Sequence, residues 1–137
     1  MAKGGDYLRH WITVSGKGNQ ERLPKIFLVN WFRRTADGGF AWPGFGDNSR
    51  VLKWAIERIE GKADATETPI GFVPTPDSLD LTGLDMTPEQ VEEAVKVDAA
   101  EWAEELKGIE EWYARFGESL PEQLSAQLKV LQERFAA

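Results

Sequence analysis

The chain has 137 residues, of which 42% are hydrophobic and 28% charged, which is one domain's worth of ordinary globular polypeptide. Its 16 Lys and Arg stand against 23 Asp and Glu, and this formal charge of −7 argues against nucleic acid or an anionic membrane as the main partner. The absence of cysteine excludes a disulfide framework, a thiolate metal site and a cysteine nucleophile, and no apolar run approaches the roughly 18–20 residues of a membrane span.

Met1 to Gly5 reads as a start segment without fold meaning and not as a secretion signal. Tyr7, Leu8, Trp11 and Ile12 have helical spacing, which predicts a short amphipathic helix over 7–14 with Trp11 packed in a core. His10 is the single histidine, and one imidazole without companions belongs on a helix surface, not at a metal. Ser15 to Gln20 has loop composition, and its Gly-Lys-Gly lacks the spacing of a phosphate loop.

Lys25 to Phe32 is an apolar, β-rich run that predicts a buried strand. Thr35 to Gly39 has turn chemistry, so Phe40-Ala41-Trp42 should return beside that strand and bring Phe32 near Phe40. Pro43 ends the return strand. Asn48 or Ser49 is expected to cap a helix over 50–60, with Gly61 just past its end and Val51, Leu52, Ala55, Ile56 and Ile59 buried. The free N–H groups of that helix would open beside Phe45 and Asn48, where they favour a polar or anionic ligand group. Arg33, Arg34, Arg50, Lys53 and Arg58 make the local charge positive, which suits an anionic small molecule.

Residues 62–67 read as a polar loop, 68–73 as one short strand and 74–77 as a turn, after which Leu79, Leu81 and Leu84 belong to an extended cover over apolar surface. Thr87-Pro88-Glu89-Gln90 is a capping box that opens a helix to about Val97. A second box, Asp98 to Glu101, opens a helix to Phe116 that Gly117 terminates. Its stripe of Trp102, Leu106, Ile109, Tyr113 and Phe116 should pack antiparallel against Leu124, Leu128, Leu131 and Phe135 of a last helix begun by Pro121. The paired glutamates 92–93, 104–105 and 110–111 read as solvated faces. The fold class is therefore α+β: a short β-hairpin or small sheet, flanking helices and a C-terminal helical hairpin. Residues 6–73 form the α/β part and 74–137 the helical part of one domain.

The segment from Asn30 to Arg50, NWFRRTADGGFAWPGFGDNSR, holds Trp31, Phe32, Phe40, Trp42 and Phe45, five of the fifteen aromatic residues. Three glycines and a proline, Gly38, Gly39, Gly44 and Pro43, are interleaved with them. Glycine lets backbone approach a ligand closely while rings supply π-faces, so the pattern fits a slot for a planar ligand. Stacking on such rings is worth roughly 1–3 kcal/mol per base. The Asn48 amide and the backbone of Gly46 and Asp47 could read a polar edge such as guanine O6 or N1–H. Aromatic clusters are more often core, and Trp42 and Trp54 are assigned there.

The string WFRR…DG.F.WPGFG.NSRVLKW, with Asp6-Tyr7-Leu8-Arg9-His10-Trp11, Leu23-Pro24-Lys25-Ile26-Phe27 and Thr68-Pro69-Ile70-Gly71, resembles the C-terminal portion of the GTP-dependent phosphoenolpyruvate carboxykinases. The resemblance implies a guanine lying among Phe32, Phe40 and Phe45 beside Trp31, its edge read by Phe45-Gly46-Asp47-Asn48. It implies GTP or GDP as ligand through base contacts, and a gluconeogenic, cytoplasmic enzyme that converts oxaloacetate and GTP to phosphoenolpyruvate, GDP and carbon dioxide. It also implies Mn2+ or Mg2+ held by parts of the family for which this chain has no ligands. The missing N-terminal and catalytic segments would be its partners, and the chain alone would be inactive. Asp47 stands where glutamate is more usual, and Leu28 where a histidine or aromatic is frequent. Two other readings remain open: a non-catalytic interaction module using an aromatic groove, and a scaffold whose apolar surface packs on other polypeptide.

Overall fold

The computed structural model describes residues 4–136. Their regular elements are α1 (Gly4–Lys17), α2 (Asn48–Ile59), β1 (Ala65–Thr68), β2 (Gly71–Pro74), α3 (Pro88–Val95), α4 (Ala99–Ala114) and α5 (Glu122–Ala136). The α+β class and the C-terminal helical hairpin are as expected. By internal packing the chain divides into two compact units, Lys25–Val97 and the residues before and after it.

The unit from Lys25 to Val97 is built on Trp42, Trp54, Leu79 and Val91, with Trp31, Val51, Leu81, Leu84 and Met86 packed around them. Both core tryptophans have a use for their polar atom: Trp54 Nε1 donates to the Asp64 carbonyl at 3.1 Å, and Trp42 Nε1 donates to Asn48. Helix α2 ends as expected, with Gly61 at φ +73 just beyond Glu60. Its buried side differs from the predicted one: Trp54 is buried and Val51 and Ala55 half-buried, whereas Leu52, Ile56 and Ile59 are exposed. The large indole takes the core position and turns that stripe outward. The capping box of α3 forms in full, Thr87 accepting from Gln90 N and the Gln90 side chain accepting from Thr87 N at 2.8 Å.

The predicted strand over 25–32 does not form. Ile26 and Leu28 are each 94% exposed, Phe27 and Val29 alternate with them at 40% and 42%, and Phe27 meets Trp54 edge-on at 6.0 Å. The segment has strand periodicity, but among the described residues the backbone from Lys25 to Val29 finds no hydrogen-bond partner. A β-rich run becomes a strand only beside a second one. The sheet lies instead where one strand and a loop were expected: β1 and β2 pair antiparallel, Thr66 with Val73 and Glu67 with Phe72, around Pro69-Ile70. The polar sequence of β1, Ala-Thr-Glu-Thr, hides it from any hydrophobic pattern.

In the other unit, α4 and α5 pack through their stripes, with Leu106 buried and Trp102 stacked on Phe135 at 5.5 Å. Asp98 caps α4 by accepting from Ala100 N and Glu101 N. The start segment carries more structure than expected. Helix α1 begins at Gly4, and Gly5 is buried so closely against the Ser119 backbone that a Cβ would collide with it. Trp11, expected in a core, is exposed, as is His10.

The contrast between Val91, fully buried, and Leu28 yields a stability prediction. Val91→Ala should cost about 2 kcal/mol through lost burial and a residual cavity, whereas Leu28→Ser should stay within about 0.5 kcal/mol. Urea unfolding midpoints measure both.

Candidate functional site

The aromatic segment folds as a tight turn and a loop that lead into α2. Gly38 N donates to Thr35 O at 2.9 Å, Thr35 N to Gly39 O at 3.0 Å and Ala41 N to Arg33 O at 2.9 Å, which reduces the expected hairpin to a single bridge between Arg34 and Phe40. Thr35 Oγ1 and Gly39 N both donate to the Asp37 carboxylate, which lies below its ordinary pKa chiefly through the threonine bond. This closed turn brings Phe32 and Phe40 together as expected, edge to face with centroids 6.5 Å apart. The Arg34 guanidinium lies 3.9 Å from the centroid of Phe40 and occupies one of its faces. Phe32 remains 74% exposed and Phe40 52%.

Beyond Pro43 the backbone enters the left-handed region twice, at Gly44 (φ +78) and at Phe45 (φ +48). Glycine accepts this freely; a phenylalanine pays roughly 1–3 kcal/mol for it. The strain does not bury the ring, because Phe45 is 99% exposed and makes no ring contact among the described residues. Phe45 to Asp47 then form one 3-10 turn that runs directly into α2.

The polar residues at this junction are held by specific partners. Asn48 is not the cap that its sequence position predicts. Asp47 occupies the N-cap without a side-chain capping bond, and Asn48 Oδ1 instead accepts from Trp42 Nε1 at 3.1 Å. Asp47 Oδ1 accepts from Arg50 Nε at 2.9 Å, and the same guanidinium donates to the carbonyls of Asp80 and Thr82. Lys53 Nζ donates to Asp80 Oδ2 at 2.8 Å. Arg50 and Lys53, expected to face an anionic ligand, are thus engaged in tying α2 to the segment over 79–84.

Phe45, Gly46, Asp47 and Asn48 are therefore contiguous on one turn, and Phe32 and Phe40 form a second, adjoining pair in sequence. Trp31 is separate in kind, half-buried against the core cluster. Sequence reasoning missed the Trp42–Asn48 bond, which joins residues six apart with no helical or strand register, and the long-range clamp from Arg50 to Asp80. A surface depression lined by Trp112, Arg115, Phe116 and Glu118 belongs to the other unit and contains none of the predicted residues. Among the described residues no three or more His, Asp or Glu cluster to hold a metal ion. No helix among them is long and apolar enough to cross a membrane.

Residues 1–134 match the family described as the phosphoenolpyruvate carboxykinase C-terminal P-loop domain. The chain belongs to the GTP-dependent phosphoenolpyruvate carboxykinase family. It is 75% identical over 132 residues to the phosphoenolpyruvate carboxykinase [GTP] of Arthrobacter sp. (strain FB24), covering 96% of this chain and 22% of that relative. It is 74% identical over 130 residues to the enzyme so named in Paenarthrobacter aurescens (strain TC1), covering 95% of this chain and 21% of the relative. The corresponding protein of Anaeromyxobacter dehalogenans (strain 2CP-1 / ATCC BAA-258) is 46% identical over 136 residues, 97% of this chain and 22% of its own length. The chain thus spans about a fifth of the length of these carboxykinases. Although the family description names a P-loop, this sequence contains no G-x-x-x-x-G-K-[ST] string.

The tether behind the loop has a defined pH range. The Asp80 carboxyl is held far below the usual carboxylate range, first by the Lys53 hydrogen bond and then by Thr82 N; Lys53 is correspondingly raised, chiefly by its bond to Asp80. A depressed acid stabilises above its unfolded pKa, about 3.9, and that contribution fades as pH falls toward the folded value. A raised lysine stabilises below its unfolded pKa, about 10.4, and loses its contribution as pH rises through the folded value. The pair should be intact from about pH 4 to about pH 10. In thermal melts the wild-type midpoint should fall more steeply than that of Asp80→Asn between about pH 4 and pH 2, and parallel curves would contradict the assignment.

Proposed function

We propose that this chain supplies the guanine-base contacts of a GTP-dependent phosphoenolpyruvate carboxykinase, with Phe32, Phe40 and Phe45 as π-surfaces, Trp31 beside them and Gly46, Asp47 and Asn48 at the base edge. The observation that carries the reading is Phe45: a large apolar ring wholly in solvent, on a backbone conformation that costs energy to hold. Among the described residues the ring packs on nothing, and a planar ligand that stacks on it would account for its exposure. The flanking Gly44 and Gly46 have open space where a Cβ would stand, so a ligand can approach the backbone there. Asn48 adds hydrogen-bonding selectivity one turn further on.

These groups bind and do not react. Rings, glycines and an amide hold a purine; the Asp47 carboxylate is ion-paired with Arg50, and the single histidine lies on α1, outside the segment. In the whole enzyme the reaction would convert oxaloacetate and GTP to phosphoenolpyruvate, GDP and carbon dioxide, with phosphoryl transfer carried by groups outside the residues described. Cytoplasmic location and a gluconeogenic role belong to the same proposal. The fully exposed Ile26 and Leu28 favour a complementary role for the Lys25–Asn30 segment as a surface that packs on other polypeptide.

Two experiments test this reading. GTP should quench tryptophan emission of the purified chain more than ATP does, and Phe45→Ala should abolish the difference; equal responses to both nucleotides would contradict the base site. The chain alone should show no GTP-dependent decarboxylation of oxaloacetate above background, and measurable turnover would contradict its assignment as a binding part only.

A further inference from the structure

We infer that Trp42 is a positioning residue whose indole N–H locks the Asn48 amide with its NH2 group turned outward, so that the site prefers a 6-oxo purine to a 6-amino purine. This rests on the base-site reading above. The indole nitrogen only donates, so the amide atom 3.1 Å from it must be the oxygen, and the two ends of the amide are not interchangeable. The donor cannot follow a flip, because the Trp42 ring is buried in the cluster with Trp54, Leu79 and Val91. The Asn48 backbone is held as well, its N–H donating to the carbonyls of Gly46 and Phe45 within the turn.

Asn48 Nδ2 has no hydrogen-bond partner among the described residues, and the side chain is only half-buried. With its oxygen turned to the indole, the amide presents its two donors on the side away from Trp42. Guanine and hypoxanthine carry an acceptor at C6, which such donors meet; adenine carries an amino donor there, which they oppose. The selective atom is on Asn48, but its orientation is determined by a tryptophan that never meets the ligand. A site whose donor would be left unpaired by the wrong base discriminates more strongly than one that merely fits the right base.

Calorimetric titration of GDP, IDP and ADP into wild type, Trp42→Phe and Asn48→Asp tests this, with hydrogen exchange of the Trp42 indole proton followed by NMR. Wild type should bind GDP and IDP more tightly than ADP. Trp42→Phe keeps an aromatic ring but frees the amide, and should lower the GDP-to-ADP affinity ratio by about fivefold, the value of one ordinary hydrogen bond. In Asn48→Asp, Trp42 still donates to one oxygen and the other faces outward as an acceptor, so preference should move toward ADP. The indole proton should exchange slowly in wild type and quickly in Asn48→Ala. An unchanged ratio in folded Trp42→Phe, or a retained GDP preference in Asn48→Asp, would overturn the inference alone. If Trp42→Phe does not fold, Asn48→Asp decides. Failure of wild type to bind any of the three would sink the base-site reading and this selectivity with it, whatever the indole proton does.

Discussion

The Lys25–Val97 unit depends on one residue that serves both its interior and its candidate site. Trp42 fills the cluster with Trp54, Leu79 and Val91, and the one polar atom it takes there is spent on Asn48. A buried indole N–H must find an acceptor, and a purely apolar core would leave it unsatisfied. Meeting that demand with the first residue of α2 ties the loop that carries Phe45 to the packed interior. Core packing and site geometry are thus set by the same bond.

From that anchor the rest of the segment follows by short steps. The loop between Trp42 and Asn48 is only five residues long, and it bridges its ends through two successive left-handed conformations at Gly44 and Phe45. A single 3-10 turn then feeds α2. Arg50 holds that turn from the helix side, gripping Asp47 and reaching to the carbonyls of Asp80 and Thr82. On the turn so held, the Phe45 ring stands 99% exposed.

Much of this was legible in the sequence, and what was not has physical causes. The starts of α3 and α4 were readable because capping is local: Thr87 with Gln90 and Asp98 with the first N–H groups of α4 are three-residue signals. The α4–α5 stripes were readable because their apolar spacing repeats. Strands were harder. The run at Ile26–Val29 has the right composition, but pairing is a property of two segments, and one segment cannot announce it. β1 and β2 form from a polar stretch whose neighbour, not its own pattern, defines it. Within the site, the Phe32–Phe40 encounter could be anticipated from turn chemistry, whereas the Trp42–Asn48 bond and the Arg50 clamp could not. Both are tertiary contacts without sequence periodicity.

Membership of the GTP-dependent phosphoenolpyruvate carboxykinase family and a strained, solvent-facing phenylalanine both support the proposal that Phe45 offers a flat ring to a purine. Intermolecular nuclear Overhauser effects between GDP and the protein test that most directly. The account predicts contacts from guanine H8 to the Phe45 ring protons, and to Phe32 or Phe40. Guanine contacts confined to residues outside this segment, with the Phe45 ring silent at saturating GDP, would contradict it.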